Sequence, residues 1–332
     1  CAPEQRVNGR MNQAATRTTE KLAGHDTSGR LPRRAFLRQA AGSAAALALP
    51  SRRAGAGAPT AGFEVGAGIA DITPPLGIEL GGFHRTPGNE RRITGIRQPT
   101  AARALVLQRG DTRAAIVSLD IACLADEVAL RVQKQVATQV AIPPENVRIC
   151  CTHTHSMPAF CYLRQWGAIP AQFMALVERH IVEAVRLASA DLGPAELRVG
   201  TSRAVGANHN RTTKDYQLDE FFGSESTDTQ RWLDTTVHAI HFQRGGSKRD
   251  LLWYHFSAHP VCFADELAGP DWPGMVSERI SRRYDLAPSF LQGHAGDVNP
   301  GDGDPWRGDA EKTTKGVYDA LCRAIERAVT VR

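Results

Sequence analysis

The sequence predicts an α/β fold: a mixed, largely parallel sheet flanked by helices, with a metal site at the carboxyl ends of its strands. Three observations carry that expectation. First, apolar runs of strand length alternate with helical periodicity. Over residues 114–151 a strand-like run (114–119) is followed by a helical one (126–140), with Val128, Val132, Val136 and Val140 on one face, and then by a second strand (147–151). That order implies a parallel crossover. Second, three apolar runs stop at turns rich in reactive side chains: Thr152-His153-Thr154-His155, Ser257-Ala258-His259-Pro260, and His294-Ala295-Gly296-Asp297-Val298-Asn299-Pro300. In open α/β sheets, ligands gather beyond such strand ends. Third, 332 residues with 42% hydrophobic and 23% charged side chains suit a globular chain of one large domain or two small ones.

The elements follow in order. Residues 64–72 alternate loosely and stop at Thr73-Pro74-Pro75, a strand closed by prolines. Residues 77–83 are glycine-rich and are expected as a loop approaching the site; the polar stretch 85–92 is expected as an exposed excursion. Strands at 103–108 and 114–119 flank Arg109-Gly110-Asp111, a hairpin signal. Pro143-Pro144 ends the first helix, and 171–188 forms a second, apolar through Phe173, Val177, Ile181, Ala184 and Val185. A short strand at 197–201 precedes a polar loop at 206–211 and a mobile surface loop at 222–228. Strands are expected at 235–242, 251–256 and 288–291. Helices are expected at 273–284, with proline at its start, and at 311–329.

Charge is unevenly placed. Residues 1–59 hold ten Lys and Arg against three Asp and Glu, leaving 30 against 32 for the rest. The formal net charge of +5 therefore belongs to the leader, and the body offers no nucleic-acid surface. Leu31-Pro32-Arg33-Arg34-Ala35-Phe36-Leu37-Arg38, an Ala-rich run and small residues at 54–58 have the arrangement of a twin-arginine export signal. The alternative is a basic amphipathic helix of the folded protein. The apolar stretch at 40–49 is too short to span a bilayer. Residues 1–59 are thus expected to be an export leader and linker, and the mature protein periplasmic or extracellular. The seven cysteines lack C-x-x-C spacing; buried thiols are expected, with a disulfide involving Cys161 or Cys262 open after export.

His153 and His155, two apart in an extended backbone, would aim both imidazoles at one point beyond the strand end. Neutral imidazoles so placed suit a divalent metal, zinc by default. The crossover also sets Asp120 near His153. Phe160, Tyr162 and Trp166 line either a lipid channel or the core. His180, His238 and His241 lie within elements and are expected to be structural or on the surface.

These residues resemble a family. The Val65-Gly66-Ala67-Gly68-Ile69-Ala70-Asp71 start, the Thr152–Ser156 strand end, Asn210-Arg211, Ser257–Val261 and Gly296–Pro300 are similar, in that order, to the catalytic domain of neutral, non-lysosomal ceramidases over about residues 63–301. The resemblance implies a zinc-dependent amidase acting on N-acylsphingosine, with His153 and His259 as zinc ligands and His155 and Arg211 at the substrate carbonyl. It also implies a glutamate and a tyrosine ligand downstream of Arg332. Residues 60–332 are thus expected to be a ceramidase-like catalytic domain incomplete at its C-terminus, unless Asp297, Asp71 or Asp120 substitutes. Where these enzymes place a serine, this chain has Asn299, which orients water or substrate through its amide. Each assignment has a plainer counterpart: His155 bonding its loop, Arg211 pairing with a carboxylate such as Asp215, Asp297 capping its turn, and Asp271 capping the following helix.

The sequence reading is therefore an exported zinc-dependent hydrolase of an amide bond in a ceramide-like lipid, with peripheral contact to the membrane. The alternatives are a catalytically inactive lipid- or glycan-binding relative and a metallohydrolase of another linkage such as an ester.

Overall fold

Alternating side chains along the strands feed three cores, one enclosed by the sheet and two beneath the helices on its outer face. In the computed structural model, which describes residues 62–163, 165–212, 233–301 and 307–331, the strands are β1 (Phe63–Asp71), β2 (Gly95–Ile96), β3 (Ala101–Arg109), β4 (Thr112–Leu119), β5 (Val147–Cys151), β6 (Gly193–Arg203), β7 (Asn208–Asn210), β8 (Thr236–Arg244), β9 (Leu251–Phe256), β10 (Leu267–Ala268), β11 (Ala287–Gln292), β12 (Val298–Pro300) and β13 (Val329–Thr330). The helices are α1 (Asp126–Val140), α2 (Ala171–Ala190), α3 (Trp272–Tyr284) and α4 (Ala310–Glu326). The expected leader and the loop at 222–228 lie outside the described residues.

Among those residues, one sheet runs in the order β11-β9-β8-β6-β1-β3-β4-β5, with β13 beside β6. The mixed α/β class and the helical flanks are as expected, but the balance of pairing is not. Only β4–β5 and β9–β11 are parallel; the pairs between them are antiparallel. The connections explain this. A helix crosses over between the members of each parallel pair, α1 in the first and α3 in the second. Between β3 and β4 there is only a tight turn, which forces antiparallel neighbours.

β1 and β6 share just two register pairs, Glu64↔Pro194 and Val65↔Gly193, so the sheet folds over at that junction. Its two halves then face each other across Val65, Leu105, Phe242, Leu251 and Trp253. The outer face of the first half packs α1 and α2 through Val117, Val132, Val136, Val177 and Ile181. The outer face of the second packs α3 and α4 through Val237, Tyr254, Val276, Ile280, Val317 and Leu321. The result is four layers, helix–sheet–sheet–helix. Gly66 and Gly68 let α2 lie directly on β1, because a Cβ at either would collide with a carbonyl oxygen of Ala188 or Ala184.

Several element ends differ from the sequence reading. β6 runs beyond the expected 197–201 at both ends, an extent hidden in the sequence by Pro194 and Gly200, which interrupt its apolar pattern. Part of the expected loop at 206–211 is strand, β7 paired with β12. The last helix stops at Glu326, and β13 follows. Among the described residues no helix is long and apolar enough to cross a membrane.

Candidate metal centre

β5 ends at Cys151, and the next two backbone amides extend its ladder, Thr152 N to Leu119 O (2.9 Å) and His153 N to Ile121 O (3.1 Å). His153 then adopts φ +66°, in the left-handed region. A side chain there costs about 1–2 kcal/mol. The pairing of His153 with His155 thus arises from a turn and not from strand alternation, a correction to the extended geometry expected. His155 is drawn to the second half of the sheet by its N–H, which donates to Pro260 O (3.0 Å).

The loop after β9 supplies His259. Three ring nitrogens, one each from His153, His155 and His259, lie within 4.8 Å of one another. The His153 and His155 Nε2 atoms are 3.3 Å apart, in hydrogen-bond contact with each other. The rings differ in how they are held. His153 Nδ1–H donates to Ala122 O (2.6 Å) and His259 Nδ1–H to Val298 O (3.2 Å), which turns each Nε2 lone pair towards the cluster. That carbonyl anchoring is the usual outer-shell partner of a metal-bound histidine. His155 Nδ1 is buried and has no hydrogen-bond partner among the described residues. Its ring is gripped by packing, with Phe83 at 5.3 Å and Trp166 at 5.1 Å between centroids.

Burial is the leading cause that pulls all three imidazoles below their ordinary value, His155 well below it and His259 to about 3. Neighbouring imidazoles and the Arg211 guanidinium push the same way. All three are therefore neutral near pH 7, the state in which imidazole binds metal. Burial likewise lowers Arg211, with Asp297 opposing. Arg211 donates to Asn299 Oδ1 (3.3 Å) and Gly296 O (2.8 Å), and lines a cavity of about 370 Å³ with Gly82, Phe83, His155, Trp166 and His259. Asp215, the carboxylate that the sequence offers as an alternative partner for Arg211, lies outside the described residues.

The carboxylates considered as substitute ligands are engaged elsewhere. Asp120 pairs with Arg103 and accepts from Ala101 N; Asp71 accepts from Thr73 N (2.8 Å); Asp297 accepts from Asn210 Nδ2 (3.0 Å). His294 is exposed, so the third strand end contributes Asn299 and the Val298 carbonyl in its place. Of the two cysteines left open for a disulfide, Cys161 is bonded. Its partner is Cys123, so the bond ties the segment after β4 to the segment after β5. Cys262 is a free thiol. Asp271 is the expected cap of α3, at φ +63°. It also accepts from Cys262 N (3.0 Å) and Phe263 N (3.4 Å), while Trp272 Nε1 donates to His259 O (3.1 Å). The His259 loop is thereby pinned to the start of α3.

The sequence model described as neutral/alkaline non-lysosomal ceramidase, N-terminal, matches residues 63–320. The chain belongs to this family. Every residue of the histidine cluster, with Arg211 and Asn299, falls inside the matched ceramidase segment. A neutral ceramidase of Mycobacterium tuberculosis is 28% identical over 274 residues, covering 72% of this chain and 40% of that protein. The crystal structure of neutral ceramidase from Pseudomonas aeruginosa has a similar fold, with a TM-score of 0.68 at 20% identity over 82% of this chain and 46% of that one. A structure described as ceramidase complexed with C2 matches with a TM-score of 0.67 at 21% identity, over 82% and 45%. The chain thus spans less than half the length of these relatives.

Proposed function

We propose that the protein is an exported zinc-dependent hydrolase of the amide bond of N-acylsphingosine or a related N-acyl lipid. The observation that carries this reading is the neutral three-histidine cluster, beside Arg211 and at the wall of a cavity, inside the ceramidase-matched segment. His153 and His259, anchored through Nδ1, would hold the metal through Nε2. Zinc there supplies Lewis-acid polarisation of a carbonyl and lowers the pKa of water towards about 7. His155 presents its ring to the same point, and a proton on its Nε2 serves as donor to the carbonyl oxygen as charge develops. The Arg211 cation faces the same cavity and adds to that stabilisation. Asn299 carries no nucleophile; it fixes the Arg211 fork through Oδ1.

Export is supported by the paired arginines of the leader and by the Cys123–Cys161 disulfide, a bond that persists in oxidising compartments. The lipid substrate implies peripheral contact with a membrane. One observation favours a second reading, a catalytically inactive lipid- or glycan-binding relative: among the described residues no carboxylate joins the cluster. Elemental analysis of the full chain, with N-acylsphingosine and matched ester substrates, separates the readings. Zinc with amide hydrolysis supports the proposal. Zinc with ester cleavage alone redirects it to another linkage, and lipid binding without turnover supports the inactive relative.

A further inference from the structure

The polar stretch 85–92, expected to be an exposed excursion, turns two arginines inward, Arg85 onto the buried Glu79 and Arg91 onto the site. Arg91 Nη1 donates to the carbonyls of Gly81 and of His155, each at 3.2 Å. Its Nε and Nη2 both reach Asp265 O, at 3.1 and 2.7 Å. The guanidinium also stacks over Phe83, 4.7 Å from the ring centroid. One planar fork therefore joins three walls of the site: the Gly81-Gly82-Phe83 loop, the His155 turn and the loop that follows His259.

His155 needs such a clasp because its ring has no Nδ1 hydrogen bond to orient it. Its orientation comes from its Nε2 contact with His153 and from what it packs on. Gly82, at φ +99°, lies so close that a Cβ there would come 2.5 Å from His155 Cγ, and Phe83 meets the ring edge-on at 82°. Arg91 meets this loop on both sides of Gly82, through the Gly81 carbonyl and the face of Phe83. We propose that Arg91 is a positioning residue, which sets the direction of the His155 imidazole relative to His153 and His259. A lysine cannot replace it fully, because an ammonium has no planar fork with which to bridge three carbonyls. The catalytic consequence rests on the hydrolase reading above; the structural consequence does not.

The test uses the zinc-treated full chain and its Arg91→Gln, Arg91→Lys and Arg91→Ala variants, with Arg92→Gln as control. The exposed Arg92 donates to Gly77 O, outside the cavity. On a short-chain N-acylsphingosine, Arg91→Gln should lower kcat by about ten- to a hundredfold, the cost of a misdirected group, with KM within about twofold. Arg91→Lys should fall between, and methylguanidinium should restore part of the kcat of Arg91→Ala. In spectra of ¹⁵N-histidine-labelled protein, the His155 ring signals should shift and broaden in Arg91→Gln more than those of His153 and His259, whose rings it touches. An unmoved His155 ring overturns the proposal, whatever the activity. So does an equal disturbance of all three rings with loss of folded signal, since Arg91 would then be general scaffolding. A parent chain that hydrolyses no amide refutes the hydrolase reading alone, because the ring spectra still decide the role of Arg91.

Discussion

The two halves of the folded sheet each deliver histidine to the same point, but they hold it by different means. The first half presents His153 and His155 from the end of a parallel strand pair, in a turn with one left-handed residue, beside a disulfide that ties the flanking segments. The second presents His259 from a loop held by a buried carboxylate and an indole at the start of a helix. One half relies on the sheet ladder and a covalent tie, the other on a buried polar network. A single centre thus sits on two loops with braces of different kinds, joined to each other through His155 N–H and Arg91, so damage to one brace should not resemble damage to the other.

Removing a ring itself is the severest way to break the comparison. His153→Ala should lose bound zinc and lower amide hydrolysis on the order of a thousandfold or more, equivalent to about 4 kcal/mol; His259→Ala should match it despite its different setting. Metal content and kcat/KM check both. The covalent brace comes next. Replacing Cys123 and Cys161 by serine opens a loop with a sequence separation of 38 residues and should cost about 4 kcal/mol of stability on a chain-entropy account, read by denaturant unfolding. The polar brace is smaller. Asp271→Ala removes the acceptor of the Trp272, Cys262 and Phe263 amides and should cost about 2–4 kcal/mol, with a larger loss of zinc affinity than the serine pair produces.

A further effect lies on the pH axis, where the imidazoles of both halves act against Asp271. The imidazoles are held below their ordinary value of 6.5, His259 at about 3. The folded chain therefore binds fewer protons there than the unfolded one, and metal-free stability should climb as pH rises from about 3 to 6.5. Burial raises Asp271 from 3.8 to about 6. Its contribution is present below about 3.8 and is lost as pH rises through about 6, so it opposes the climb. Asp271→Asn should steepen the climb across this window, as urea midpoints at successive pH values would report.

Much of this was legible in the sequence where periodicity or a capping residue spoke for itself. The helix at Asp126–Val140 and the strand at Leu251–Phe256 fall where the apolar spacing put them, and Asp271 caps its helix as its place before Trp272-Pro273 suggested. His153, His155, His259, Arg211 and Asn299 are brought to one cavity region. What stayed hidden depends on contacts distant in sequence. The folding-over of the sheet follows from a junction of two register pairs between β1 and β6 that no local pattern announces. Cys123 and Cys161 lie on separate segments, and nothing in their spacing marks them as partners. Arg91 sat in a polar run whose charge argued for solvent; only the fold shows the carbonyls it meets.

On the proposed function the three clustered histidines have two roles, with His153 and His259 holding metal and His155 acting on substrate. Zinc per chain in the parent protein and in the three single His→Ala variants tests it most directly. About one zinc is expected in the parent and in His155→Ala, and almost none in His153→Ala and His259→Ala. Zinc lost equally from all three variants, or absent from the parent, would contradict it.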